Sequence, residues 1–385
     1  MRITAVSRYH RIDPIRLTPF PPARRPTTAH PMIDSTERLI LHLEKCKPQD
    51  SPPVCAIDTE ADSLHRYRES LCLIQFAVHG ESVLIDPLAI DDLKPLASYL
   101  SEATVWMHGA DYDMTMFKRE FGHLPAVVYD TQIGARLLGA RRFGLGDLVN
   151  QYFGIELSKS SQKADWGKRP LSPKMIEYAL NDVDYLLEMG ERIVTGLKEQ
   201  GRYEWFEESC HAARRKVLER DDSREENWRI QGSGKLEPWG LACLRAIWQW
   251  RDVEAAAWDR PSFMVAPNRQ ILEWSIDLAS GKPVALPHHF RPDRVKRFRT
   301  AISKLEAMPQ SSWPEREKTK RRKRDKDFEK RVDELIKSRD QAAAKLDIEG
   351  SLIAPRAALE AIAADESQAP ALLLGWQLGC LGMKG

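Results

Sequence analysis

At 385 residues the chain is too long for one ordinary core, so two or three domains are expected. Its 58 basic and 56 acidic residues nearly cancel, which excludes a globally charged nucleic-acid coat and leaves any electrostatic partner to a local patch. The six cysteines (46, 55, 72, 210, 243 and 380) form no CxxC pair, so neither a zinc knuckle nor a disulfide framework is indicated, and a reducing cytoplasm fits best.

No apolar run approaches the roughly 18 residues that a membrane-spanning helix needs, and the N-terminus has no secretory h-region. Residues 1–31 are rich in Arg and Pro and poor in acids. They read as a disordered leader, or as sequence ahead of a start at Met32, with an organellar transit peptide as the alternative.

From Ser35, STERLILHLEKC has an N-cap residue followed by apolar positions at helical spacing. Pro52 and Pro53 then punctuate the chain, and VCAID reads as a buried strand that ends in carboxylates. SLCLIQFAV and ESVLIDP are two further strands with a turn at His79-Gly80. A helix in DLKPLASYL, a strand in TVWMHG and a helix in YDMTMFKREFG ending at Gly122 come next, then the strand AVVYD and the helix TQIGARLLGA. This order predicts a mixed α/β sheet with helices on its faces, where ligands usually sit at strand C-terminal ends.

Three acid clusters stand out. Alternation along a strand puts Asp58 and Glu60 on one face and Thr59 on the other, and by the same rule Asp62 joins the first face. Paired carboxylates at the end of a buried strand repel unless a cation sits between them, and hard oxygen ligands favour Mg²⁺ or Mn²⁺. Asp111 and Asp113 begin a helix, where an Asp is also a common cap. EYALNDVDYLLEMGERI is expected as one regular helix with Tyr178 and Asp182 on a shared face, which is equally the pattern of a plain core helix.

The combination of DxE on a strand, an Asp five residues after His108, and YxxxD on a later helix resembles the DEDD superfamily of 3′-5′ exonucleases in its Tyr-containing branch. LCLIQFA, LIDP, YDTQIGARLLG and SKSSQKADWGKRPLSPKMIEYALNDVDYL resemble the ribonuclease D family in order and spacing, from about residue 50 to 200. The resemblance implies a ribonuclease H-like fold, two divalent metal ions held by Asp58, Glu60, Asp113 and Asp182, and a water oriented by Tyr178. Asp111 is then a neighbour and not a ligand. It further implies a catalytic role for these five residues and a phosphate contact for Arg169, with Trp166 packed under the catalytic helix and His108 structural.

Beyond residue 205 a charged segment, ARRKVLERDDSREENWRIQGSGK, reads as an exposed helix and a Gly/Ser hinge near residue 232. Trp248, Arg251, Asp259, Val265-Ala266-Pro267 and Ile271-Leu272 resemble an HRDC domain, a helical module of RecQ-type helicases and ribonuclease D. A shift of 88 residues aligns RDVEAAAWDRPSFMVAP (251–267) with RDQAAAKLDIEGSLIAP (339–355) without a gap, an internal repeat. The expected organisation is a leader (1–31), an exonuclease domain (32–205), a linker (206–232), an HRDC domain (233–305), a basic linker (306–328) and a second HRDC-like domain (329–385). The basic run from Lys318 to Lys326 suits phosphate contacts or a solvated linker.

The expected activity is 3′-5′ hydrolysis of RNA with a single-stranded 3′ end, above all tRNA precursors, with no obligate protein partner. A related exonuclease acting on DNA or other stable RNAs, or a silent nucleic-acid-binding protein, are the alternatives.

Overall fold

The computed structural model describes residues 32–221, 227–316 and 326–383. The leader and nearly all of the basic run lie outside the described residues. Six strands, β1 (Met32–Ile33), β2 (Val54–Ala61), β3 (Leu71–Val78), β4 (Glu81–Ile85), β5 (Thr104–Met107) and β6 (Val127–Asp130), form one sheet in the order β1-β4-β3-β2-β5-β6. β2 is antiparallel to β3 and parallel to β5, so the sheet is mixed, as expected. Gly80, at φ 83°, makes the tight turn between β3 and β4.

One face of the sheet is covered by α1 (Thr36–Cys46), α2 (Lys94–Glu102) and α3 (Asp111–Phe121), whose Leu39, Leu96 and Phe117 are fully buried against Ile57, Ile74 and Phe76. The Ser35 hydroxyl caps α1 by accepting from the Arg38 N–H, and left-handed Gly122 ends α3. The other face carries α4 (Thr131–Leu137), α5 (Leu145–Phe153), α6 (Pro173–Asn181) and α7 (Leu186–Glu199). Gly190 of α7 sits against Trp106, where an added Cβ would lie 2.8 Å from the indole, so only glycine lets the helix approach the sheet this closely.

Two expectations need correction. The regular helix expected from Glu177 through Ile193 is broken: α6 stops at Asn181 and α7 starts at Leu186, with turns between. No Pro or Gly causes the break. The turns span Asp182-Val183-Asp184-Tyr185, residues of weak helix propensity, between the buried Ala179 and Leu180 and the buried Leu186 and Leu187. The exposed helix expected beyond residue 205 is α8 (Tyr203–Glu219), and it is docked: Phe206, Cys210 and Val217 are buried in the sheet domain's core.

The C-terminal half is helical. α9 (Pro238–Trp258), α10 (Ser262–Val265), α11 (Asn268–Ala279) and α12 (Pro292–Glu306) form a first bundle around Trp250, Trp274, Phe290 and Phe298. α13 (Lys326–Leu346), α14 (Gly350–Ile353), α15 (Arg356–Ala364), α16 (Ala369–Leu372) and α17 (Gly375–Cys380) form a second. The 88-residue shift seen in the sequence holds element by element, since α13 and α14 are α9 and α10 displaced by that number at both ends. An arginine closes the corner identically in each copy: Arg251 donates to the Ala266 carbonyl at 3.0 Å and Arg339 to that of Ala354 at 3.2 Å.

Candidate active site

β2 delivers the first two acids. Asp58 and Glu60 face the layer of α6 and α7, and a register shift between Glu60 and Ala61 ends the alternation that had put Asp62 beside them. Asp62 is buried, and its Oδ1 accepts from the Ser70 N–H at 2.7 Å, pinning the loop after β2.

Asp182 is the C-cap of α6, immediately before the break, and comes from the helical layer above. One carboxylate oxygen each from Asp58, Glu60 and Asp182 lies within 4.8 Å of the others. Together with Tyr178, Trp166 and His108 they line a cleft of about 520 Å³.

Asp113 arrives from the opposite face. It is buried in the first turn of α3, and the Thr59 hydroxyl donates to its Oδ1 at 2.5 Å. Thr59, which alternation turns away from the first two acids, is therefore the tether of the fourth. Sequence reasoning missed it, although a Thr between two motif acids on a strand was the available signal. The start of α3 is itself held by Asp130, whose two oxygens accept from the Gly109 and Ala110 N–H groups at 2.9 Å. Asp111, by contrast, points to the surface and receives two N–H groups of Arg220, which hold its carboxyl below the usual range.

The electrostatics are those of a site built for positive charge. Burial first, then Asp113, Asp182 and Glu60, push Asp58 well above an ordinary carboxyl. Burial followed by Asp182 and Asp113 raises Glu60 to about 9. Burial raises Asp182 to about 7 against the Tyr178 hydroxyl, and Asp113 to about 6 against the Thr59 hydroxyl. Four carboxylates crowded this way cannot all ionise unless a cation joins them, and an all-oxygen donor set fits Mg²⁺ or Mn²⁺. The Tyr178 phenol is also pushed up, by burial and then by Asp182, Glu60 and Asp58, so it remains a neutral hydrogen-bond donor.

Trp166 is buried with its ring 6.0 Å from that of Tyr178. His108 engages the Thr131 hydroxyl at 2.9 Å, and burial lowers its pKa. Arg169 differs from expectation. Its Nε and Nη2 donate to the Asp86 carboxylate at 2.6 Å, Nη2 also to the Cys72 carbonyl, and Nη1 to the Trp166 and Lys168 carbonyls. All five N–H groups of the guanidinium are thereby used within the protein, and none is left for a phosphate.

A family model described as 3′-5′ exonuclease matches residues 32–198. The chain is 30% identical over 303 residues to a ribonuclease D of Gluconacetobacter diazotrophicus, covering 75% of each chain. It is 27% identical over 368 residues to a ribonuclease D of Sphingobium indicum, covering 90% of this chain and 91% of that one. The crystal structure of Escherichia coli RNase D has the same fold, with a TM-score of 0.70 and 24% identity over 89% of this chain and 92% of that one. With a sheet and a cluster of acids placed as described, the chain belongs to the ribonuclease D family of 3′-5′ exoribonucleases.

Proposed function

We propose that Asp58, Glu60, Asp113 and Asp182 hold two divalent cations, Mg²⁺ or Mn²⁺, and that the protein uses them to remove nucleotides from single-stranded 3′ ends of RNA, with tRNA precursors as its substrates in the cytoplasm. The observation that supports this is the convergence of four carboxylates from two strand positions and two helical layers, three of them with ligand oxygens within 4.8 Å of one another. Bound cations would lower the pKa of an attacking water and stabilise the charge on the leaving 3′ oxygen.

The protein's own groups divide the remaining work. Thr59 and Tyr178 donate to Asp113 and Asp182 and fix which lone pairs face the cleft. Tyr178, one helical turn before Asp182, is placed to orient the water through a neutral hydroxyl and not to remove its proton as a phenolate. Arg169 serves as a strut tying the loop before α6 to the end of β4 through Asp86.

The two helical bundles are read as HRDC-like modules, at 233–305 and 329–385, on the strength of their shared 88-residue shift. All six cysteines are free, which suits a reducing compartment. Among the described residues no helix is long and apolar enough to cross a membrane.

Incubation with end-labelled RNA and DNA carrying 3′ overhangs, with and without EDTA, tests the reading. Stepwise trimming of RNA from the 3′ end that EDTA abolishes is expected. Trimming that persists in EDTA overturns the metal site, and equal or faster trimming of DNA overturns the RNA assignment.

A further inference from the structure

Gln75 lies in the middle of β3, the strand beside the acids, and is fully buried. Neither its Nε2 nor its Oε1 has a hydrogen-bond partner, and among the described residues no other buried side chain leaves two polar atoms unpaired. A buried carboxamide without partners costs about 1–3 kcal/mol by mutational measures, so a leucine of similar volume would be the more stable choice for the fold alone.

The register says what the amide is beside. Gln75 is the direct cross-strand partner of Asp58 on one side and of Leu84 on the other. Directly opposed residues share a face, with Cβ atoms about 4.5–5.5 Å apart. Its same-face neighbours along β3 are Leu73 and Ala77, and the layer above contributes the apolar Ala179, Leu180 and Val183. Within this otherwise apolar surround, the polar cross-strand neighbour of the amide is the Asp58 carboxylate.

We infer that Gln75 is a positioning residue for the metal site: the two side chains are not hydrogen-bonded in the structure, and on cation binding the cross-strand Nε2–H would take one oxygen of Asp58 and so direct the other at the cation. The inference rests on the metal reading given above. Partners that orient a ligating carboxylate typically contribute ten- to a hundredfold in metal affinity or activity. Thr59 already donates to Asp113 and Tyr178 to Asp182 in the structure, and with a cation bound Gln75 would give Asp58 the same kind of donor from the neighbouring strand.

The test compares the parent protein with Gln75→Leu, and with the unbranched Gln75→Met should the leucine variant not fold. Calorimetric titration with Mn²⁺ alone should show affinity at least about tenfold weaker in the variant. Urea unfolding in EDTA should show metal-free stability equal to or above the parent's, and kcat on a labelled single-stranded RNA should fall. A merely structural amide would lower the EDTA stability on replacement and leave Mn²⁺ affinity alone. A folded variant that binds Mn²⁺ as the parent does overturns this inference and leaves the metal site standing. A parent that binds no Mn²⁺ overturns the metal reading and this inference with it.

Discussion

Asp259 and Asp347 occupy the same left-handed corner in the two helical modules, at φ 49° and 50°, and each directs its carboxylate at an arginine of the nuclease domain. Asp259 takes Arg66 and the Tyr67 N–H, on the loop after β2. Asp347 takes Arg141, and its carbonyl lies so close to Gly139, φ 95°, that an added Cβ there would be 2.6 Å away. These two loops continue into Leu64 and Gly144, which line the cleft. One structural corner, used twice, thus braces two stretches of chain that border the cleft.

The corner's backbone matters more than its charge. An L-residue in the left-handed region costs about 1–2 kcal/mol unless it is Asn, Asp or Gly, whereas an exposed ion pair contributes about 0–1 kcal/mol. Asp259→Asn should therefore change unfolding free energy by less than about 1 kcal/mol, and Asp259→Val should cost about 1–2 kcal/mol more than that. Urea denaturation of both variants checks the order.

Asp111 and Asp113 should separate cleanly. Asp113→Asn should abolish trimming of labelled RNA, because it removes the buried, Thr59-tethered carboxylate proposed as the fourth metal ligand. Asp111→Asn loses the Arg220 pair on the surface and should retain turnover within a few-fold. The reverse result would place the metal ligand at 111.

Tyr178→Phe should lower kcat by on the order of a hundredfold, the lower end of what a positioned hydroxyl contributes. Mn²⁺ should still bind, with affinity about tenfold weaker, since the phenol orients Asp182 as a donor and is not itself a ligand. Unchanged kcat would remove the residue from the reaction.

The crowded carboxyls make the metal-free protein sensitive to pH. Glu60 near 9, Asp182 near 7 and Asp113 near 6 all sit above their unfolded values, so the folded chain keeps protons that the unfolded chain releases. That stabilisation is complete below about pH 4 and is lost as pH rises through those values. In EDTA the melting temperature should fall between about pH 5 and 9 from this source, and Mg²⁺ should raise it more at about pH 8 than at about pH 5.5. Thermal melts across pH with and without Mg²⁺ measure both slopes.

Arg169→Ala should unfold the protein more readily by about 3–5 kcal/mol, the cost of leaving a buried partner charge unpaired. Asp86, whose side chain is 5% exposed, is that partner. At temperatures where the variant remains folded, KM for RNA should match the parent. A KM defect in a fully folded variant would restore the phosphate contact.

What could be read from the sequence followed the local rules. Asp58 and Glu60 were legible because a strand alternates, and α1 and α3 because Ser35 and Gly122 mark their ends. Arg169 was not, because its partners Asp86 and Cys72 lie 83 and 97 residues away. The break after Asn181 was hidden because the weak helix formers Asp182, Val183 and Asp184 also occur inside helices, while the apolar spacing of Ala179, Val183, Leu186 and Leu187 is helical throughout. Gln75 was invisible for a different reason: LCLIQFA reads as a buried strand whether or not its one amide is paired.

The shared core around Trp106 and Phe206 extends past the sheet domain to include Ala343, Ile348, Ile353 and Trp376 of the second module, with Trp376 stacked on Trp205 at 5.1 Å. The first module instead encloses its own tryptophan-rich interior, touched from the nuclease by the partly buried Tyr67. Order along the chain and order of cooperation therefore run opposite ways. The distal module shares its apolar core with the nuclease, while the nearer one, tied to it through Tyr67 and the Arg66–Asp259 pair, falls in the chain between the two halves of that shared core.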